Sequence, residues 1–164
     1  MRRLGVAACA VVVLVLGAHP AGADGDHGGG ADACGLLTRK EIAAVMGQEA
    51  GKGTAASAPG TCQWRLVETA DRAPGQVNAQ VIRGADARTQ YRLGAKLSPE
   101  EHTGVEGLGR KAFFAPGSGT VWVLVDSRTM FYVQANTYDA AANRITDGLE
   151  DQLTELSARA VARV

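Results

Sequence analysis

Apolar residues open the chain as one unbroken small-and-apolar run over residues 4–18, with Val11, Val12, Val13, Leu14, Val15 and Leu16 at its centre. From residue 34 onward the pattern changes to short periodic segments. Leu37, Ile42, Val45 and Met46 recur at helical spacing behind Thr38 and Glu41, a capping box in which hydroxyl and carboxylate satisfy each other's backbone amides. Gly47 is placed to end that helix at positive φ. Residues 48–60 are rich in Gly, Ala, Ser and Pro and read as a surface loop. Cys62, Trp64 and Leu66 alternate with Gln63, Arg65 and Val67, the period of a strand. A turn at 71–75 leads to a second strand at 76–82, predicting a hairpin. Residues 85–97 read as a modest helix carrying Tyr91 and weakened by Gly94.

The second half repeats the alternation. Residues 104–109 form a glycine-punctuated loop, and strands at 111–115, 120–126 and 129–136 follow in meander order. Val121, Val123 and Val125 share one face, while Trp122 and Leu124 share the other, so both faces of that strand are apolar and it belongs in the middle of a sheet. From Asp139 the period is helical, through Ile145, Leu149, Leu153, Leu156 and Ala160. The expected fold is α+β, in the order α-β-β-α-β-β-β-α. It is a single antiparallel sheet of about five strands with the helices packed on one face.

The apolar start is a targeting signal in pattern. Arg2 and Arg3 precede it, Pro20 follows it, and Ala21-Gly22-Ala23 presents small residues at a signal-peptidase site. The run falls short of the roughly 20 apolar residues that span a bilayer. The expectation is a signal peptide over 1–23, cleaved after Ala23, and a secreted, extracellular chain without a stable membrane anchor. Residues 24–33, Gly- and Asp-rich, read as a flexible lead, and 34–164 as a single globular domain. Loss of Arg2 and Arg3 leaves 15 basic against 17 acidic residues. Such a mixed, near-neutral surface argues against nucleic acid as a partner.

Cys9 leaves with the signal, so Cys34 and Cys62 are the one possible pair and should be bridged in an oxidising compartment. Lipid attachment would need a cysteine directly after the apolar run; Cys9 is too early and Cys34 too late.

Cys34-Gly35-Leu36-Leu37-Thr38 with Glu41 and Gly47, followed by Cys62-Gln63-Trp64, resembles the small exported domains of unknown function common in actinobacteria. In those domains a C-x-LLT-x-x-E helix start is tied by a disulfide to a later C-x-W strand, and many are lipoproteins. Gly107-Leu108-Gly109 with Ala112-Phe113-Phe114, then Trp122 and Tyr132, fits the same layout, so the resemblance covers residue 34 to the C-terminus. The missing lipid-attachment cysteine is a departure. The resemblance implies a sensor or binding module and transfers no catalytic motif.

Candidate chemistry is sparse. His102 is the one histidine within the domain and lies beside Glu100 and Glu101, where an exposed loop is expected. No Gly-x-Ser-x-Gly elbow is present, and Ser118 between Gly117 and Gly119 reads as a hairpin turn. Glu106-Gly107-Leu108-Gly109 lacks the Lys-Ser/Thr of a phosphate loop. No metal-ligand spacing occurs and no cofactor is expected. Phe113 and Phe114 are adjacent, so one should face away from whatever the other packs on. The sequence therefore predicts a non-catalytic binding module for a cell-envelope component, small ligand, glycan or protein partner. A proteinaceous inhibitor of an extracellular enzyme is the alternative. The candidate binding loops are Val105, Glu106, Gly107, Leu108 and Gly109, and Gly117, Ser118 and Gly119. An apolar concavity on an open sheet face, framed by these loops, is where a ligand is expected.

Overall fold

The computed structural model describes residues 29–98, 102–139, 144–145 and 147–164. The expected signal peptide over 1–23, the cleavage expected after Ala23, and Cys9 fall outside them, as do Glu100 and Glu101.

Helix α1 (Gly29–Leu36) leads into α2 (Arg39–Met46). The expected capping box forms: Glu41 N–H donates to Thr38 Oγ1 at 3.3 Å, and Thr38 N–H to Glu41 Oε2 at 2.8 Å. Gly47 closes the helix in the left-handed region, at φ 66°. Helix α1 corrects the expectation of a flexible lead over its last five residues, and Ala33 is fully buried. The Gly-rich sequence has little helix propensity of its own. It is held by the Cys34–Cys62 disulfide and by the burial of Leu36.

Strands β1 (Thr54–Ala55), β2 (Thr61–Leu66) and β3 (Gly75–Arg83) precede α3 (Asp86–Leu97). Then come β4 (Thr103–Val105), β5 (Lys111–Ala115), β6 (Thr120–Leu124) and β7 (Thr129–Asn136). A small ribbon of β8 (Tyr138–Asp139) and β9 (Arg144–Ile145) leads to α4 (Leu149–Val161). The main sheet has seven strands in the order β1-β2-β3-β7-β6-β5-β4, every pair antiparallel. It exceeds the expected five because β1 and β4 pair within segments that read as loops. Ile145, expected on the last helix, lies in β9; the helix begins only after Gly148, which is left-handed at φ 73°.

The two faces of the sheet are covered differently. On the first, Cys62, Trp64, Val77, Ala79, Val121, Val123, Phe131 and Val133 pack in the main core with Leu36, Ile42, Met46, Leu153 and Leu156 of α1, α2 and α4. On the second, Leu124 and Met130 form a separate cluster with Ala87 of α3, packed by Ile82, Tyr91, Trp122 and Tyr132. Helices on both faces correct the expectation of one-sided cover. The reason is the strand that is apolar on both sides: Trp122 and Leu124 alternate with Val121 and Val123 and need their own lid. Gly94 lets α3 come close enough, since a Cβ there would meet the Trp122 ring at 2.8 Å.

The last turn of the chain closes on the first helices. Arg163 pairs with Glu41 through two parallel bonds, Nη1 to Oε2 at 2.9 Å and Nη2 to Oε1 at 2.6 Å, and Nη1 also donates to the Leu36 carbonyl at 2.6 Å. The guanidinium, with help from Thr38, lowers the Glu41 carboxyl from its usual 4.5 to about 2. A carboxyl depressed on folding stabilises the fold above its unfolded pKa and loses that contribution as pH falls towards the folded value. The pair is partly solvated and is worth on the order of 1 kcal/mol. Urea unfolding should therefore show the wild type more stable than Glu41→Gln at pH 7, with the gap closing between about pH 4.5 and 2. A gap independent of pH would mean that the carboxylate charge contributes nothing.

Candidate functional site

The second face of the sheet carries a row of rings set by strand register. Tyr132 lies opposite Trp122, Trp122 opposite Phe113, and Phe113 opposite Gly104. Directly opposed residues project on the same face, so the row runs Tyr132, Trp122, Phe113 and then stops, because position 104 has no side chain. Trp122 and Phe113 stack at 6.1 Å and 11° between planes, and Trp122 and Tyr132 meet at 5.0 Å. Tyr91 reaches down from α3 to meet Phe113 edge-on, centroids 5.3 Å apart. The His102 ring also lies against Phe113, tilted, at 5.1 Å.

Where the row stops, a groove opens. It is bounded by Tyr91 and Ala95 of α3, by His102 and Gly104, and by the turn 105–110 leading into Lys111, with Phe113 as floor; its volume is about 590 Å³. A second hollow of about 340 Å³ lies along Arg88, Tyr91, Arg92, Arg110, Lys111 and Leu124, sharing Tyr91, Arg110 and Lys111 with the first. Gly109 fixes the turn. It is left-handed at φ 55°, and a Cβ there would lie 2.8 Å from the Leu124 carbonyl oxygen. Burial raises the Tyr91 phenol above its usual range, so its hydroxyl stays neutral.

The first set of candidate residues, Val105 to Gly109, thus belongs to this groove. The second does not. Gly117, Ser118 and Gly119 form a 3₁₀ turn (Pro116–Ser118) and its cap at the far end of β5, about 17 Å away for five extended residues. They line a separate hollow of about 410 Å³ with Pro74 and residues 134–137. Ser118 Oγ donates to Thr120 Oγ1 at 2.9 Å. His102 precedes the Thr103–Phe114 pair and so lies at the same end of β5 as this turn, but its ring rests against Phe113 and, among the described residues, no hydrogen bond joins it to Ser118, so the two form no nucleophile–base pair. Among the described residues no group of three His, Cys, Asp or Glu side chains could hold a metal ion, and no helix is long and apolar enough to cross a membrane.

Phe113 and Phe114 face opposite ways, as their adjacency requires: Phe114 enters the main core and α3 covers Phe113, so both are buried, at 7% and 4% exposure. The part of the second face beyond α3 is polar instead of apolar. Gln63 Nε2 donates to Gln76 Oε1 at 2.8 Å and to Asn78 Oδ1 at 3.2 Å, and Gln134 Nε2 donates to the Ser118 carbonyl at 3.1 Å. These amides largely satisfy one another.

Arg88, Arg92, Arg110 and Lys111 were not among the residues that sequence reasoning singled out. They are separated along the chain and meet only through the packing of α3 over β6, which brings it beside the start of β5. The available signals were the i, i+4 arginine pair on one helix and a basic dipeptide directly after a glycine-rich turn. No protein family, curated protein or solved structure matches the chain.

Proposed function

We propose that this domain is an exported, non-catalytic binding module, and that its ligand occupies the groove between α3 and the 104–110 turn. The supporting observation is Gly104. It ends the aromatic row one residue early, leaving Phe113 and Tyr91 as the floor of a hollow within the 300–1,000 Å³ typical of ligand sites. Export follows from the leader pattern and agrees with the disulfide. The ligand class is a small molecule or a segment of a cell-envelope polymer, in keeping with the resemblance to exported actinobacterial domains.

Gly104→Trp supplies the test. A Cβ at 104 meets nothing within 4 Å, so the substitution should extend the row into the groove without disturbing the fold. Envelope extract and culture supernatant of the producing organism, fractionated by size and charge, would be titrated into the labelled domain and followed by amide NMR shifts. The expected result is perturbation confined to Tyr91, Ala95 and residues 104–112, abolished in Gly104→Trp. Perturbation centred on Gln63, Gln76 and Asn78, or chemical turnover of a bound component, would overturn the proposal.

A further inference from the structure

Resting on the groove as ligand site, we infer that the ligand is an organic phosphate. Its phosphate lies among Arg88, Arg92, Arg110 and Lys111, and its organic body lies over Tyr91 towards Phe113.

The first argument is charge without compensation. The whole chain has 17 basic and 17 acidic residues, yet the hollow beside Tyr91 is lined by four cationic side chains and no acidic one. All four are exposed, and among the described residues no hydrogen bond or ion pair engages any of them. Elsewhere cations do find acids: Arg163 is held by Glu41 and Arg159 by Glu155. Arg88 and Arg92 are one helical turn apart, where like charges weaken a helix. Lys111 extends the row Ile82, Met130, Leu124 on the second face, which places it beside the helix that carries the two arginines.

The second argument is valence and shape. A single carboxylate would neutralise only one of four cations. A phosphate monoester brings nearly two charges and three acceptor oxygens, and arginine forks match it with paired bonds. Tyr91 lines both hollows, so an anion held at the cations has an aromatic surface beside it that leads to the larger, less charged hollow. Glu106, the one acidic residue lining that larger hollow, disfavours a second anionic group there.

The test uses the disulfide-intact domain and three soluble probes: inorganic phosphate, phenyl phosphate and phenol, with amide NMR shifts and calorimetry as readouts. Phenyl phosphate should bind about tenfold more tightly than inorganic phosphate, because its ring is buried on Tyr91. Arg88→Gln with Arg92→Gln should weaken it about tenfold. The same change at exposed Arg39 and Lys40 of α2 should leave it unaltered. Raising salt from 0.05 to 0.5 M should weaken binding several-fold. Vesicles identify the source: sedimentation with phosphatidic acid, whose headgroup is a phosphate monoester, but not with phosphatidylcholine, lost in the double variant, assigns the phosphate to a lipid headgroup. Tight phenyl phosphate binding without sedimentation assigns it to a free phosphate ester. Failure of both phosphate probes and of the vesicles overturns the inference, as does equal weakening by the Arg39/Lys40 control. Groove shifts with envelope fractions but not with phosphates would sink this inference alone. Silence of the groove towards every ligand would sink the proposed site with it.

Discussion

Replacing Trp64 by alanine should lower the free energy of unfolding by about 3–5 kcal/mol, enough to consume much of the stability of an ordinary domain. Trp64 is 1% exposed on β2 and is packed in the main core beneath the helices of the first face. Its ring also determines what the preceding loop can be: a Cβ at Gly53 would lie 2.6 Å from the indole Nε1. Truncation leaves a large void, because the sheet on one side and the disulfide-held helix on the other cannot both collapse into it. Urea unfolding followed by far-UV circular dichroism measures the loss. Val67→Ala, just beyond the same strand and 50% exposed, is the comparison and should cost under about 0.5 kcal/mol. Similar midpoints for the two variants would mean that Trp64 is not a keystone of the core.

Removing the disulfide should have an effect of similar size by a different route. The bridge joins residues 28 apart, with Cα atoms 5.0 Å from each other. Closing a loop of that length restricts the unfolded chain by about 3–4 kcal/mol. Cys34→Ala with Cys62→Ala avoids burying a hydroxyl at position 62, which is wholly buried. The loss should be local before it is global. An eight-residue helix starting Gly-Gly cannot sustain itself, so amides of α1 should exchange first while those of β3, β6 and β7 remain protected. Unchanged protection of α1 in the double variant would show that Leu36 and Arg163 suffice to hold it.

These two predictions rest on features already legible in the amino-acid order. The Cys-x-Trp alternation places both side chains on one face of β2, and the capping box at Thr38 and Glu41 fixes where α2 begins. Strand β3 shows its alternation because nine residues, with Val77, Ala79 and Val81 buried in turn, give a period of two room to register. Strands β1 and β4 have two and three residues, too few for any period, and pair only because β2 and β5 offer them open ladders. The seat of α3 was implied by the doubly apolar β6 together with Ala87, Tyr91 and Gly94 on one helical stripe. Its placement nevertheless depends on Trp122 and Gly94 meeting, a tertiary fact. Half of the candidate site followed from the glycine-rich turn at 105–109. The cationic half did not, since Arg88 and Arg110 are neighbours only after folding.

The brevity of the outermost strands has a consequence for how copies of this domain can coexist. An open sheet invites its neighbours to continue it wherever backbone amides and carbonyls line up unpaired. Here the ladder ends at Thr54–Ala55 on one side and Thr103–Val105 on the other. Each offers a foothold too short to template a strand from another molecule. Crowded side by side, such domains can touch without knitting into a common sheet, and any lasting association must be made through side chains on their faces.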